Sequence, residues 1–229
     1  VSEASGPGAV ESAIRTRRAV RAFLPDPVDP ALLRRLLALA AAAPSGTNMQ
    51  PWRVRVVGPR ARAGLERALL AALESGERPG IEEYRYYPER LREPYLSRRR
   101  KVGWDLYGLL GVTKGNVEGM KRQSAANLRF FDAPVALMLT IDRDLEIGSW
   151  LDLGMFIQTL LIAAKGHGLD SCPQAIFAQF HAVVRSELAI PEDEVIVCGI
   201  ALGKADPDAP ANRLMPQREP VDAFTTWLD

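Results

Sequence analysis

The chain has 229 residues, 29 Lys plus Arg against 28 Asp plus Glu, 47% hydrophobic and 25% charged residues, and only two cysteines. Such a composition belongs to a globular protein long enough to bury a core without disulfides or a structural metal. A formal charge of +1 gives no global field, which argues against a protein whose main task is coating nucleic acid or an anionic membrane.

Residues 1–10 have neither a basic start nor an apolar core and read as a flexible tail of a cytoplasmic protein. A single domain over 11–229 is expected, since no repeat or Gly/Ser linker divides it. A short helix at Glu11–Thr16 runs into Arg17-Arg18-Ala19-Val20-Arg21. The clearest helix follows, with Asp29 as N-cap, Pro30 at its first position and Leu32, Leu33, Leu36, Leu37 and Ala40 in one stripe; Pro44-Ser45-Gly46 stops it. Arg53–Val57 alternates at period two, as a strand with one solvated side does, and Pro59–Ser75 reads as a helix.

Residues 80–123 mix Tyr84, Tyr86, Tyr87, Tyr95, Trp104 and Tyr107 with Arg and Glu at poor periodicity. This is the pattern of an insertion that forms a lid, a partner surface or a plain surface excursion. Pro134–Ile141 and Glu194–Leu202 are dense apolar runs, expected as central strands buried on both faces. Between them Trp150–Lys165 is apolar nearly all round, with Gly166 as the expected C-cap, so it belongs in a core or a subunit interface. The apolar stretches at Val135–Ile141 and Leu153–Ala164 are shorter than the roughly 18–20 residues of a membrane span. The order of elements lacks a regular βαβ cadence, which predicts an α+β fold around one mixed or antiparallel sheet flanked by helices.

Several chemistries are disfavoured at once. There is no G-x-G-x-x-G after a strand and no G-x-x-x-x-G-K-[ST]. His167 and His181 lack metal-ligand spacing, Cys172 and Cys198 lie in no C-x-x-C pattern and read as buried free thiols, and no G-x-S-x-G elbow occurs. No metal site and no catalytic side chain is nominated. What remains is Arg17, Arg18 and Arg21, whose fork-shaped donors suit a phosphate or another compact anion, although alone they also describe a solvated basic face. The segment 43–52, Ala-Pro-Ser-Gly-Thr-Asn-Met-Gln-Pro-Trp, joins a helix to a strand with small turn-forming residues. Its backbone N–H groups, the Ser45 hydroxyl and the Asn48 and Gln50 amides suit a polar heterocycle or a ribityl chain.

Arg-Arg-Ala-Val-Arg-x-Phe at 17–23 followed by Ala-Pro-Ser-Gly-Thr-Asn-x-Gln-Pro-Trp at 43–52 resembles the FMN-dependent nitroreductase family. Phe131-Asp132-Ala133-Pro134, Gly168-Leu169-Asp170-Ser171-Cys172-Pro173 and Arg218-Glu219-Pro220 agree, so the resemblance runs from about residue 11 onward. It implies an intertwined homodimer with FMN at the subunit interface. Arg17, Arg18, Ala19 and Arg21 would form the first FMN segment, the first two on the phosphate and ribityl and Arg21 toward the N1/C2 edge of the ring; Ala19 stands where relatives often carry Ser. Ser45, Gly46, Asn48 and Gln50 would come from the neighbouring subunit, with Thr47 toward the substrate. Pro173, Gln174, Ala175 and Ile176 match the stretch over the ring, Arg218 the C-terminal phosphate ligand, and Arg213 and Arg129 are further candidates. Cys172 either faces the ring or is a packed thiol.

The implied activity is a ping-pong hydride transfer in which NAD(P)H and then a nitroaromatic or quinone-like acceptor use the same FMN, a small-molecule system with no nucleic-acid or membrane partner. Tyr95, Trp104 and Tyr107 offer flat faces to that acceptor. The surroundings of Glu93-Pro94-Tyr95 and Arg98-Arg99-Arg100 resemble the nitrobenzoate-reductase-like group, and Arg98–Lys101 is either a solvated face or an attractor of an acidic substrate or the NADPH phosphate. Reductive dehalogenation, enoate reduction and flavin fragmentation remain alternatives within the family. A non-catalytic anion or nucleic-acid binding module is the alternative outside it.

Overall fold

The computed structural model describes residues 7–76 and 82–228. Eight α-helices and four strands follow the order α1 (Pro7–Thr16), α2 (Pro30–Ala40), β1 (Arg53–Val57), α3 (Pro59–Ser75), α4 (Tyr95–Leu109), α5 (Val117–Leu128), β2 (Val135–Asp142), α6 (Ile147–Gly166), β3 (Asp170–Gln174), α7 (Ile176–Gln179), α8 (His181–Leu188) and β4 (Glu194–Gly203). The sheet has the order β1-β2-β4-β3 and every pairing is antiparallel. This settles the mixed-or-antiparallel expectation for the named strands.

Local chemistry accounts for the elements that were legible. The Asp29 carboxylate accepts from the Ala31 N–H at 2.9 Å and Pro30 opens α2, which satisfies one of the free first-turn donors. β2 and β4 are buried along almost their whole length, as strands covered on both faces must be. Leu137, Leu139 and Ile141 point toward α2 and α6, whereas Ala136 and Met138 point toward α3, α5 and α7. At Leu139/Thr140 the register skips Val197, and this bulge puts both Val197 and Cys198 into the α2/α6 layer. Gly199 is required on the other face: a Cβ there would lie 2.4 Å from the Phe177 ring, which stacks on Phe130 at 4.4 Å.

Several boundaries differ from expectation. The first helix starts at Pro7, so residues 7–10 of the expected tail are helical; residues 1–6 lie outside the described residues. α6 extends from Ile147 to Gly166, and the left-handed residue that ends it is Gly168, φ 75°, rather than Gly166. By length and composition α6 is apolar enough to cross a bilayer, contrary to the reading from uninterrupted apolar stretches. It nevertheless packs on α1, α2 and β3, buries Leu153, Phe156, Leu160 and Leu161 with the carboxylate of Asp152, and leaves Ile147 and Leu151 exposed. The described part of 80–123 is built mainly of α4 and the start of α5. No residue of α4 is buried, which is why its periodicity is weak.

Candidate functional site

The basic run is fixed by the edge of the sheet. Val20 is fully buried and its N–H donates to the Ser171 carbonyl at 3.0 Å, so Ala19 and Ser171 form a parallel bridge on the free side of β3. Leu24 N–H donates to the Lys204 carbonyl at 2.9 Å, and Phe23 bridges to Ala205. The segment 19–24 thereby adds an irregular partner beside β3 and the end of β4, and the guanidiniums of residues 17, 18 and 21 are carried to that edge.

A turn at Pro210–Arg213 locks this arrangement. Asn212 Oδ1 accepts from the Arg21 N–H at 2.7 Å, and its Nδ2 donates to the carbonyls of Ala22 at 2.8 Å and Asp206 at 2.9 Å. Arg18 Nη1 lies 3.7 Å from Met215 Sδ, and Arg21 Nη1 donates to the Ala19 carbonyl at 3.3 Å. Among the described residues no carboxylate pairs with Arg17, Arg18 or Arg21. Arg18 Nε, Ser171 Oγ and Gln174 Oε1 are buried without a hydrogen-bond partner. Burial pushes the Cys172 thiol up to about 11, opposed by the charges of Arg21 and Arg17, so both guanidiniums bear on β3.

β3 leads directly into the stretch expected over a ring. Pro173 is exposed on the edge strand, where a missing N–H does no harm. Gln174 is buried and its Nε2 donates to the Asn127 carbonyl at 2.6 Å and to Asn127 Oδ1 at 2.7 Å. Ala175 and Ile176 open α7, where backbone N–H groups have no intrahelical acceptor.

The amide-rich segment lies on a different support. Gly46 N–H donates to Asp152 Oδ2 of α6 at 3.0 Å, the Gln50 N–H donates to Ser45 Oγ at 3.0 Å, and Gln50 Nε2 donates to the Asn48 carbonyl at 3.4 Å. Thr47, Asn48 and Gln50 take left-handed φ values of 47°, 64° and 50°, a run of non-glycine strain that persists only when surrounding contacts enforce it. Residues 46–50 are exposed, and among the described residues they share no hydrogen bond with the arginine trio. The structure therefore brings 17–21 together with the start of β3 and with 212–215 within one chain, and ties 45–50 to α6 through Asp152.

The remaining candidates are placed as follows. Arg218 Nη1 donates to the Pro216 and Gln217 carbonyls, both at 3.1 Å, and lines a cleft of about 460 Å³ with Ser97, Arg98 and Lys101 of α4. Arg98 pairs with Glu219 at 3.0 Å and Lys101 with Asp105 at 2.8 Å. Arg213 is exposed between Asn212 and Met215, the two residues that touch the trio. Arg129 pairs with Asp132 at 3.2 Å. On α4, Tyr95 and Trp104 are exposed, and Trp104 meets Tyr107 edge-on with centroids 5.9 Å apart. Sequence reasoning missed Asn212, Asp152 and Asn127. Each is a polar side chain buried or half-buried inside an element, and its partner lies far away in sequence.

The nitroreductase family model matches residues 14–204. The chain is 39% identical over 222 residues to a chloronitrobenzene nitroreductase of Comamonas testosteroni, covering 96% of each chain. It is 38% identical over 218 residues to a 4-nitrobenzoate reductase of Pseudomonas putida, covering 95% of each. The crystal structure of the FMN and NADPH-dependent nitroreductase NfnB from Sphigopyxis sp. strain HMH superposes with a TM-score of 0.92 at 39% identity, covering 96% of this chain and 99% of that one. With the arginine trio, the strained amide segment and the 171–176 edge placed as described, the chain belongs to the nitroreductase family.

Proposed function

We propose that the protein is an NAD(P)H-dependent FMN oxidoreductase that reduces nitroaromatic or quinone-like acceptors as a homodimer. One observation carries the reading: of three arginines with no carboxylate partner among the described residues, Arg17 and Arg21 bear on Cys172 of β3 and Arg18, beside Met215, has its Nε buried without an acceptor. A buried donor of that kind is costly unless a ligand supplies the acceptor. A phosphate with an attached chain of hydroxyls fits it, since Ser171 Oγ and Gln174 Oε1 of β3 are also buried without partners.

When bound, FMN supplies reversible two-electron exchange between a nicotinamide and an organic acceptor. Arg17 and Arg18 hold the phosphate end, aided by Arg213, which the 212–215 contacts favour over Arg218. Arg21 is the cation available to the ring edge, where positive charge favours the reduced, anionic form. Ala175 and Ile176 offer backbone donors to the ring. The segment Ser45, Gly46, Thr47, Asn48 and Gln50, exposed from Gly46 on, serves the site of a second copy, and the exposed Ile147 and Leu151 of α6 give that copy an apolar face to bury. The NADPH dependence of NfnB and the nitroaromatic substrates of the Comamonas testosteroni and Pseudomonas putida relatives support the donor and acceptor classes.

The test is direct. The purified protein takes up one FMN per chain, turns yellow, bleaches with NADPH under anaerobic conditions and regains colour on adding 4-nitrobenzoate or a quinone. A colourless protein that binds no added FMN removes the proposal. A flavin-loaded monomer in sedimentation removes the shared-site part of it.

A further inference from the structure

Glu83 is a carboxylate with only 3% of its side chain exposed, held by three basic side chains from two other parts of the fold. Arg143, after β2, reaches Oε1 at 2.6 Å; His181 Nδ1 lies 3.1 Å from Oε2, and Arg185 Nη2 lies 3.1 Å from the same atom. The arginines are themselves fixed. Arg143 Nε donates to the Glu192 carbonyl at 2.8 Å, and Arg185 Nη2 donates to the Glu194 carbonyl at 2.9 Å. The Glu83 N–H donates to the Ala178 carbonyl at 3.4 Å. Burying a carboxylate costs several kcal/mol before pairing, so a plain packing anchor is served at least as well by an apolar residue. What a bonded carboxylate adds is a fixed direction for the chain leaving it.

That chain leads to tyrosines. Tyr84 Oη donates to the Val197 carbonyl at 2.7 Å and its ring meets Trp150 edge-on at 4.8 Å. The next two aromatics are free of such anchorage: Tyr86 and Tyr87 are 57% and 46% exposed, meet edge-on at 4.7 Å, and Arg99 of α4 lies 4.4 Å over the Tyr87 ring. With Tyr84 and Glu82 they line a 310 Å³ cavity whose lining also includes Asn127, Ala175 and Ile176. This slot opens beside the stretch proposed to face the FMN ring, and its flat walls suit a planar aromatic.

We propose that Glu83 is a positioning residue for the acceptor: clamped by Arg143, His181 and Arg185, it sets the place of Tyr86 and Tyr87 in the cavity they line with Ala175 and Ile176, and that cavity takes the aromatic acceptor. The inference rests on the FMN oxidoreductase reading, deepens it, and fails separately from it. The probe is 4-nitrobenzoate, titrated against the oxidised, FMN-loaded protein. In Glu83→Gln the Kd rises roughly five- to tenfold, the scale of one lost aromatic contact. The KM for 4-nitrobenzoate rises with it while kcat and FMN content hold. Tyr86→Ala gives a similar rise, and the double variant binds no worse than the weaker single one, because both changes remove the same wall. An unchanged Kd in Glu83→Gln, or additive losses in the double variant, overturns the proposal. If Glu83→Gln does not fold, Arg143→Met loosens the clamp from its exposed side; the same rise is expected, and an unchanged Kd is equally fatal. A wild-type chain that takes up no FMN refutes the functional reading instead, whatever the variants do.

Discussion

Replacing Arg18 by methionine should move stability and cofactor affinity in opposite directions. Arg18 Nε is closed off from water with no partner, and Nη1 rests 3.7 Å from Met215 Sδ. A buried donor without an acceptor costs about 1–3 kcal/mol. Methionine keeps an unbranched stem against Met215 and removes the donors. The FMN-free protein should therefore gain about 1 kcal/mol, or about 2–4 °C in Tm for a domain of this size. The same change deletes a charge-assisted bond to the anion worth about 1.5–3 kcal/mol, so the Kd for FMN rises roughly 10- to 150-fold. Thermal unfolding of the flavin-free protein and a fluorescence titration with FMN read the two effects independently. An arginine that merely held the fold together would lose stability on substitution. A variant that melts earlier and binds FMN as tightly as the parent refutes the reasoning.

Asp152→Ala removes the acceptor of the Gly46 N–H, so hydrogen exchange at that amide speeds up and FMN affinity falls, while Asp152→Asn retains an acceptor and most of the affinity; full protection of Gly46 in the alanine variant contradicts this. Burial pushes Cys172 up to about 11 and Cys198 up to about 12 from an ordinary 9.0. As pH rises past that ordinary value the unfolded thiols lose protons that the native state keeps, and stability falls until the native thiols ionise as well. Urea midpoints of a double alanine variant should fall less steeply above pH 9.0 than those of the parent, and identical slopes exclude the effect.

The elements read correctly from sequence are those whose signal is local. Asp29-Pro30 caps α2, and β2 and β4 are apolar because both faces are covered; Arg53–Val57 forms the expected strand without the expected solvated side, since Val56 is exposed while Arg55 is half-buried against Glu194 and Val57 packs on the same face as Arg55. β3 escaped notice because an edge strand tolerates Pro173 and needs little hydrophobicity. The helices of the insertion escaped because α4 buries no side chain. At the site, three arginines within five residues were conspicuous. The bonds that assemble them were not: Gly46 meets Asp152 across 106 positions and Arg21 meets Asn212 across 191, and no local pattern encodes such a pairing. Likewise six aromatics marked 80–123 as a unit, but only the fold separates the pinned Tyr84 from the exposed Tyr86.

The Asn212 amide carries a consequence for biogenesis. It stitches Arg21 and Ala22, among the earliest described residues to leave the ribosome, to a turn made 190 and 191 positions later. Until that turn emerges, the arginine run is held at the edge of the sheet by the backbone bonds of Val20 to Ser171 and of Leu24 to Lys204, and the bonds that fix Arg21 and Ala22 are still missing. On the proposed function, a firm hold on FMN therefore comes late in maturation, once Asn212 has joined the two ends of the chain.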